Sequence, residues 1–268
     1  MYAGTTLHTT SGNIIGGHQK IDRLARRTLK KLTSAAFPSI SEILYFEGNN
    51  GPDGIKRKSP SQDEPWHFYN PQNPTKGELL GHLDDHLYNL TAALQANDTV
   101  RASFEAAWLA HTIVDGLTPA HHYPLEDKIQ ELWGKSKDER LTVVDKNFIR
   151  GTGTRDTIKK NWEYWGTKGV FMTHASFELG VAMAITPIRE LKVIPSEHDK
   201  AYIDENGFIE FFKRQALTVE ALGLYETFGR DGWNRRFAGH VRRDMLPIIV
   251  NTVALGWFTA RKIAGAGG

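Results

Sequence analysis

Between residues 75 and 119 two helical stripes follow one another with only a two-residue break, and this leaves the chain little choice of fold class. Leu79, Leu80, Leu83, Leu87, Leu90 and Leu94 recur at the three-and-four spacing of one helix face over 75–96. Asn97 and Asp98 interrupt the stripe. Asp98 is placed to cap a second helix over 99–116, rich in alanine and carrying Phe104, Ala107, Trp108 and His111. Pro119, which cannot continue a helix, ends it. So short a break folds the second helix back on the first, and an antiparallel hairpin is predicted.

The same period recurs along the chain. Ile21, Leu24, Ala25, Leu29 and Leu32, with charges between them, predict an amphipathic helix over 18–36 that stops before Pro38. Further helices are expected over about 168–191, 207–228 and 234–264, with a kink at Pro247. No alternation of strand length occurs. The expected fold is therefore all-α, a single-domain multi-helix bundle over residues 1–268.

Two segments depart from the pattern. From Gly48 to Pro74 the prolines at 52, 60, 65, 71 and 74 forbid a regular element, giving a long loop of the kind that carries function. Residues 124–167 are densely charged, with a Gly151-Thr152-Gly153-Thr154 turn, and read as an insertion of short helices, a lid or small subdomain.

Composition narrows the function. A 40% hydrophobic content supports a sizeable core, and Lys+Arg at 33 against Asp+Glu at 31 gives only +2, too little for a dedicated nucleic-acid surface. Arg26, Arg27, Lys30 and Lys31 read as a solvated helix face. With no cysteine, a transition metal would be held by nitrogen and oxygen ligands alone. The apolar run Ile248 to Phe258 is shorter than the ~20 residues of a membrane span and reads as a buried terminal helix. Met1-Tyr2-Ala3-Gly4 begins no basic-then-apolar leader, so no signal peptide is visible and a cytoplasmic location is the expectation as written.

The polar residues point to metal chemistry. His111 and Asp115 lie four apart, hence on one helix face; His121 follows Pro119, and His174 and Glu178 form a second such pair. With 11 His and 31 Asp+Glu in 268 residues, about one His-x-x-x-acid pair arises by chance, so the argument rests on further ligands. His18 opens the first helix, and Asp53 and His67 lie fourteen apart in the long loop. Histidine and carboxylate ligands suit zinc, which activates water for hydrolysis and clamps phosphoester oxygens. His82 and His86, beside Asp84 and Asp85, are read as surface or supporting residues, and His122 is left at the cleft mouth.

Trp66-His67-Phe68-Tyr69-Asn70-Pro71, the run Ala107-Trp108-Leu109-Ala110-His111 through Asp115 to Pro119-Ala120-His121, and His174-Ala175-Ser176-Phe177-Glu178 resemble the zinc-dependent phospholipase C and P1/S1 nuclease superfamily. The likeness runs from His18 to about Glu190. It implies a helical bundle binding up to three zinc ions. Asp53, His67, His111 and Asp115 would hold one ion, and His121, His174 and Glu178 a second. Asp115 would bridge to a third shared with His18, and Asp53 would serve as catalytic base. In secreted members an N-terminal tryptophan completes the third site, and no Trp precedes His18 here. The aromatic pair of choline-selective members is replaced by Gly54 and Glu64.

The expected function is a phospholipase C-like phosphodiester hydrolase using zinc-activated water on a phospholipid or other phosphodiester, with transient contact at a membrane surface. The alternatives are a P1/S1-type single-strand nuclease, the only reading with a nucleic-acid partner, and a metal-binding helical protein without catalysis.

Overall fold

The computed structural model describes residues 16–47, 50–53, 68–74, 78–136, 139–140 and 142–266. Among them the architecture is all-α, with no strand. The helices are α1 (Gly17–Leu32), α2 (Ile40–Tyr45), α3 (Leu79–Gln95), α4 (Thr99–Gly116), α5 (Leu125–Trp133), α6 (Val143–Asn147), α7 (Thr154–Trp165) and α8 (Val170–Ile185). They continue as α9 (Glu197–Asn206), α10 (Phe208–Glu220), α11 (Leu224–Asp231), α12 (Arg235–His240) and α13 (Leu246–Ala266).

The hairpin forms as expected. Leu79, Leu83, Leu87 and Leu90 of α3 are buried, and the Asp98 carboxylate caps α4 by accepting from Arg101 N at 2.9 Å. Ala102, Ala106, Ala107 and Ala110 line the inner face of α4, and side chains that small let another helix approach closely. That helix is α13, whose buried Trp257 donates from Nε1 to the Ala106 carbonyl at 2.9 Å. Residues Thr252 to Trp257 are buried without interruption, so α13 is apolar on all sides and forms the axis on which α1, α3, α4 and α10 pack. No helix among the described residues is long and apolar enough to cross a membrane.

Three differences from the sequence expectation have local causes. The helix expected over 207–228 is broken between α10 and α11 by Gly223, which adopts φ +56°. The irregularity expected at Pro247 lies just before it, where Val241–Met245 winds as a π-helix; proline offers no N–H to continue regular α bonding there. The short helices α2 and α9 were not anticipated. Each begins with a capping box, Ser39 with Glu42 and Ser196 with Asp199.

The insertion has a small apolar cluster of its own. Ile129, Trp133, Ile149 and Tyr164 are buried together, with Phe171 at the start of α8 packed against them. Trp133 Nε1 donates to the Asp145 carbonyl at 2.7 Å, and Asn161 Nδ2 donates to the Ile149 carbonyl at 2.8 Å. The segment is thus a subdomain seated one turn before His174.

Helix α8 is held from behind by Trp233, whose Nε1 donates to the Ser176 carbonyl at 3.1 Å. A Cβ at Gly180 would lie 1.9 Å from the Trp233 ring, so only glycine accommodates the indole. Gly180→Ala is expected to cost about 1–3 kcal/mol through overpacking, read as a lowered Tm in thermal unfolding. An unchanged Tm would place Trp233 elsewhere.

Candidate metal centre

Asp115 occupies the last turn of α4, where the chain is about to leave the helix. Thr118 secures the exit: its hydroxyl donates to the Val114 carbonyl at 2.6 Å and its N–H to the Asp115 carbonyl at 3.0 Å. Pro119 then starts a single 3-10 turn, Pro119–His121, which swings His121 back toward α4. The long loop rejoins the fold here, because Tyr69 N donates to the His121 carbonyl at 3.0 Å and the Tyr69 ring packs on Phe212.

Three histidines surround the buried Asp115 carboxylate. His18 Nε2 lies 3.2 Å from Oδ1, His111 Nε2 3.3 Å from Oδ2, and His121 Nδ1 3.6 Å from Oδ1. Ligand atoms around one tetrahedral zinc at 2.0–2.1 Å stand about 3.3 Å apart, so these separations suit neighbours on an ion. The His18 and His111 rings are stacked, with centroids 3.9 Å apart and planes inclined by 8°. Asp53, at the edge of the long loop, approaches His111 Nε2 at 4.0 Å.

The residues fall into two groups joined by Asp115. Ligand atoms of His18, Asp53 and His111 all lie within 4.8 Å of one another, as do those of His121, His174 and Glu178. In the second group one Glu178 oxygen receives both His121 Nε2 at 2.6 Å and His174 Nε2 at 3.0 Å. Seven of the eight residues anticipated from sequence are therefore brought to one place, and His67 lies outside the described residues.

The electrostatics match a ligand set. Burial would raise the Asp115 and Glu178 carboxyls, but the positive charge and hydrogen-bond donors around them, the imidazoles among these, outweigh it and hold both well below the usual carboxylate range. Burial pushes His18 down, with His111 beside it, and takes His121 to about 4, leaving both rings neutral at pH 7. Neither ring nitrogen of His18 has an aligned hydrogen bond, although both are buried, and His174 Nδ1 is in the same position. Imidazole nitrogens without an aligned hydrogen bond beside ionised carboxylates suit a divalent cation, and His111, held well above its ordinary value by Glu47 and Asp115, would give up its proton on binding one.

Two buried acids were missed by the sequence reading. Glu47, fully buried, accepts from His111 Nδ1 at 3.0 Å and thereby turns Nε2 toward Asp115. Asp22 is also buried, with neither carboxyl oxygen hydrogen-bonded, and its acid is raised well above the ordinary value by burial and by Glu47. Its spacing four residues after His18 was the available signal; for Glu47, at the edge of the long loop, no periodicity marked it. His86 proves to be packed, with Nδ1 2.6 Å from Glu105 Oε2, while His82 is half-buried with its ring 3.9 Å from Glu78. His122 turns from the centre to the Gly116 carbonyl at 2.9 Å.

No protein-family model, curated protein or solved structure matches the chain.

If this cluster holds a divalent metal, Glu47→Gln should leave the fold intact and weaken binding of added zinc by roughly 10–100-fold, the usual cost of losing the carboxylate behind a metal-binding histidine. Competition against a chromogenic chelator measures it. Wild-type affinity in the variant would remove Glu47 from the site.

Proposed function

We propose that this chain is a zinc-dependent phosphoric ester hydrolase of the phospholipase C type. The observation that carries the reading is the position of Asp115, one buried carboxylate between two three-residue groups of histidines and acids. His18, Asp53 and His111 would hold zinc on one side, with His67 joining them by the family resemblance, and His121, His174 and Glu178 would hold zinc on the other. Two ions account for these groups; by the family resemblance a third would take His18 with Asp115, leaving Asp53, His67 and His111 to the first. When bound, zinc supplies a Lewis acid for the phosphoryl oxygen and lowers the pKa of a water toward neutrality.

The chain's own residues divide the remaining work. Asp115 fixes the spacing of the two groups. Asp53 is the carboxylate of the set most open to solvent, its side chain 29% exposed against 2% for Asp115, so it is placed to orient the attacking water and take its proton. Glu47 keeps the His111 ring in one orientation.

A lipid substrate is favoured by the insertion. Phe148, Ile158, Trp162 and Trp165 are exposed there, Trp162 by 71%, and Arg150 and Arg155 stand among them at the surface, with Lys159 beside Glu163 at 3.7 Å. Aromatic and basic residues interleaved in this way suit the headgroup region of an anionic membrane.

Hydrolysis of bis-p-nitrophenyl phosphate, phosphatidylcholine and phosphatidylinositol vesicles and single-stranded DNA, with and without chelator, tests the reading. Metal-dependent phosphodiesterase activity is expected, with Asp115→Asn losing roughly 100-fold or more and His18→Ala losing less. Activity that survives both chelation and Asp115→Asn would sink it, and cleavage confined to DNA would move the chain to the nuclease branch.

Trp162→Ser should reduce activity on vesicles roughly tenfold by loss of buried apolar area, leaving the soluble ester unaffected. Equal effects on both substrates would remove the insertion from lipid contact.

A further inference from the structure

Helix α1 carries a second constellation on the side away from His18. At 100° per residue, His18 and Asp22 share one face, while Lys20, Arg23 and Arg27 share the opposite one. There they meet the turn that follows α8, and Lys20, Arg23, Arg27 and Arg189 together line a recess of about 580 Å³ with Thr186 and Pro187. Its volume lies within the range of roughly 300–1,000 Å³ typical of small-molecule sites. Among the described residues that line it there is no carboxylate.

The crowding of four cations is built rather than incidental. Arg27 Nη1 donates to the Arg189 carbonyl, which ties the helix to the turn. The acid next along the chain, Glu190, pairs with Lys31 at 2.5 Å and lies near enough to Arg27 to feel its charge, outside the recess. Lys20 is only 7% exposed, and burial together with Arg27, Arg23 and Arg189 lowers its ammonium pKa with no carboxylate raising it. A buried cation surrounded by cations is costly unless an anion compensates it. Two or more guanidinium groups beside an ammonium are the usual donors to phosphate oxygens.

We propose that this recess is an anion site for a phosphate-class ligand, either free phosphate or phosphomonoester or the phosphate of a lipid headgroup, separate from the metal centre. It does not depend on the hydrolase reading, since none of the four cations belongs to the candidate ligand set. Arg189 is exposed in a turn, so its removal disturbs no packing. Lys20→Met keeps the length of the buried chain and removes the charge.

The test is calorimetric titration of the full-length protein with inorganic phosphate, and sedimentation with vesicles of phosphatidylcholine alone or with phosphatidic acid. Wild type is expected to bind phosphate and to gain Tm with it but not with chloride at equal ionic strength. Arg189→Ala and Lys20→Met should each weaken binding about tenfold or more and abolish the gain in Tm. Lys20→Met should be at least as stable as wild type in phosphate-free buffer. Binding only to phosphatidic acid vesicles, lost in the variants, assigns the site to a lipid phosphate. Absence of binding to both probes, or variants that bind as wild type does, would overturn the proposal.

Discussion

Asp115 is the residue on which the arrangement depends. A carboxylate taken this far out of water costs several kcal/mol, and the positive and hydrogen-bonding groups that offset that cost include three imidazoles that converge on it. Each comes from a different place in the chain: the start of α1, the preceding turn of α4, and the 3-10 turn after Pro119. Their convergence requires α4 to end where it does, and Gly116 makes that ending possible. A Cβ at Gly116 would lie 2.6 Å from the Phe212 ring, so the helix end, α10 and the site are fitted to one another by a missing methyl group.

Much of this was legible in the sequence wherever a period carried the information. The leucines of α3, the Asp98 cap and the four-residue spacing of His111 with Asp115 each follow from helical geometry, and the hairpin forms from them. The short helices α2 and α9 were legible only through their capping boxes, because six to ten residues hold too few turns to show a stripe. The break at Gly223 was written in one glycine within an otherwise continuous pattern. Glu47 was not legible. It meets His111 from sixty-four residues away, and no local rule connects a loop edge to the middle of a helix.

Asp22 and Glu47 explain how the centre tolerates its acids. The Asp115 and Glu178 carboxyls stay ionised, and the His111 imidazole is held well above its ordinary value because the attraction of Glu47 and Asp115 exceeds the burial penalty. The Asp22 acid, buried beside Glu47, is pushed the other way, well above the ordinary carboxylate value. The division follows from distance to the imidazoles rather than from residue type.

The same helix that supplies His18 is charged in the opposite sense on its other side, and the two faces are mechanically linked. Stacking of His18 on His111 at 3.9 Å fixes the rotation of α1 about its axis, as does the burial of Ile21, Leu24 and Ala25. With rotation fixed, Lys20, Arg23 and Arg27 stay on the side of α1 that faces the Arg189 turn, and the bond from Arg27 to the Arg189 carbonyl ties helix and turn together. The backbone of α1 therefore cannot carry Lys20, the one buried cation of the four, away from its neighbours without dismantling the carboxylate–imidazole centre, and a bound anion offsets their repulsion with the helix in place.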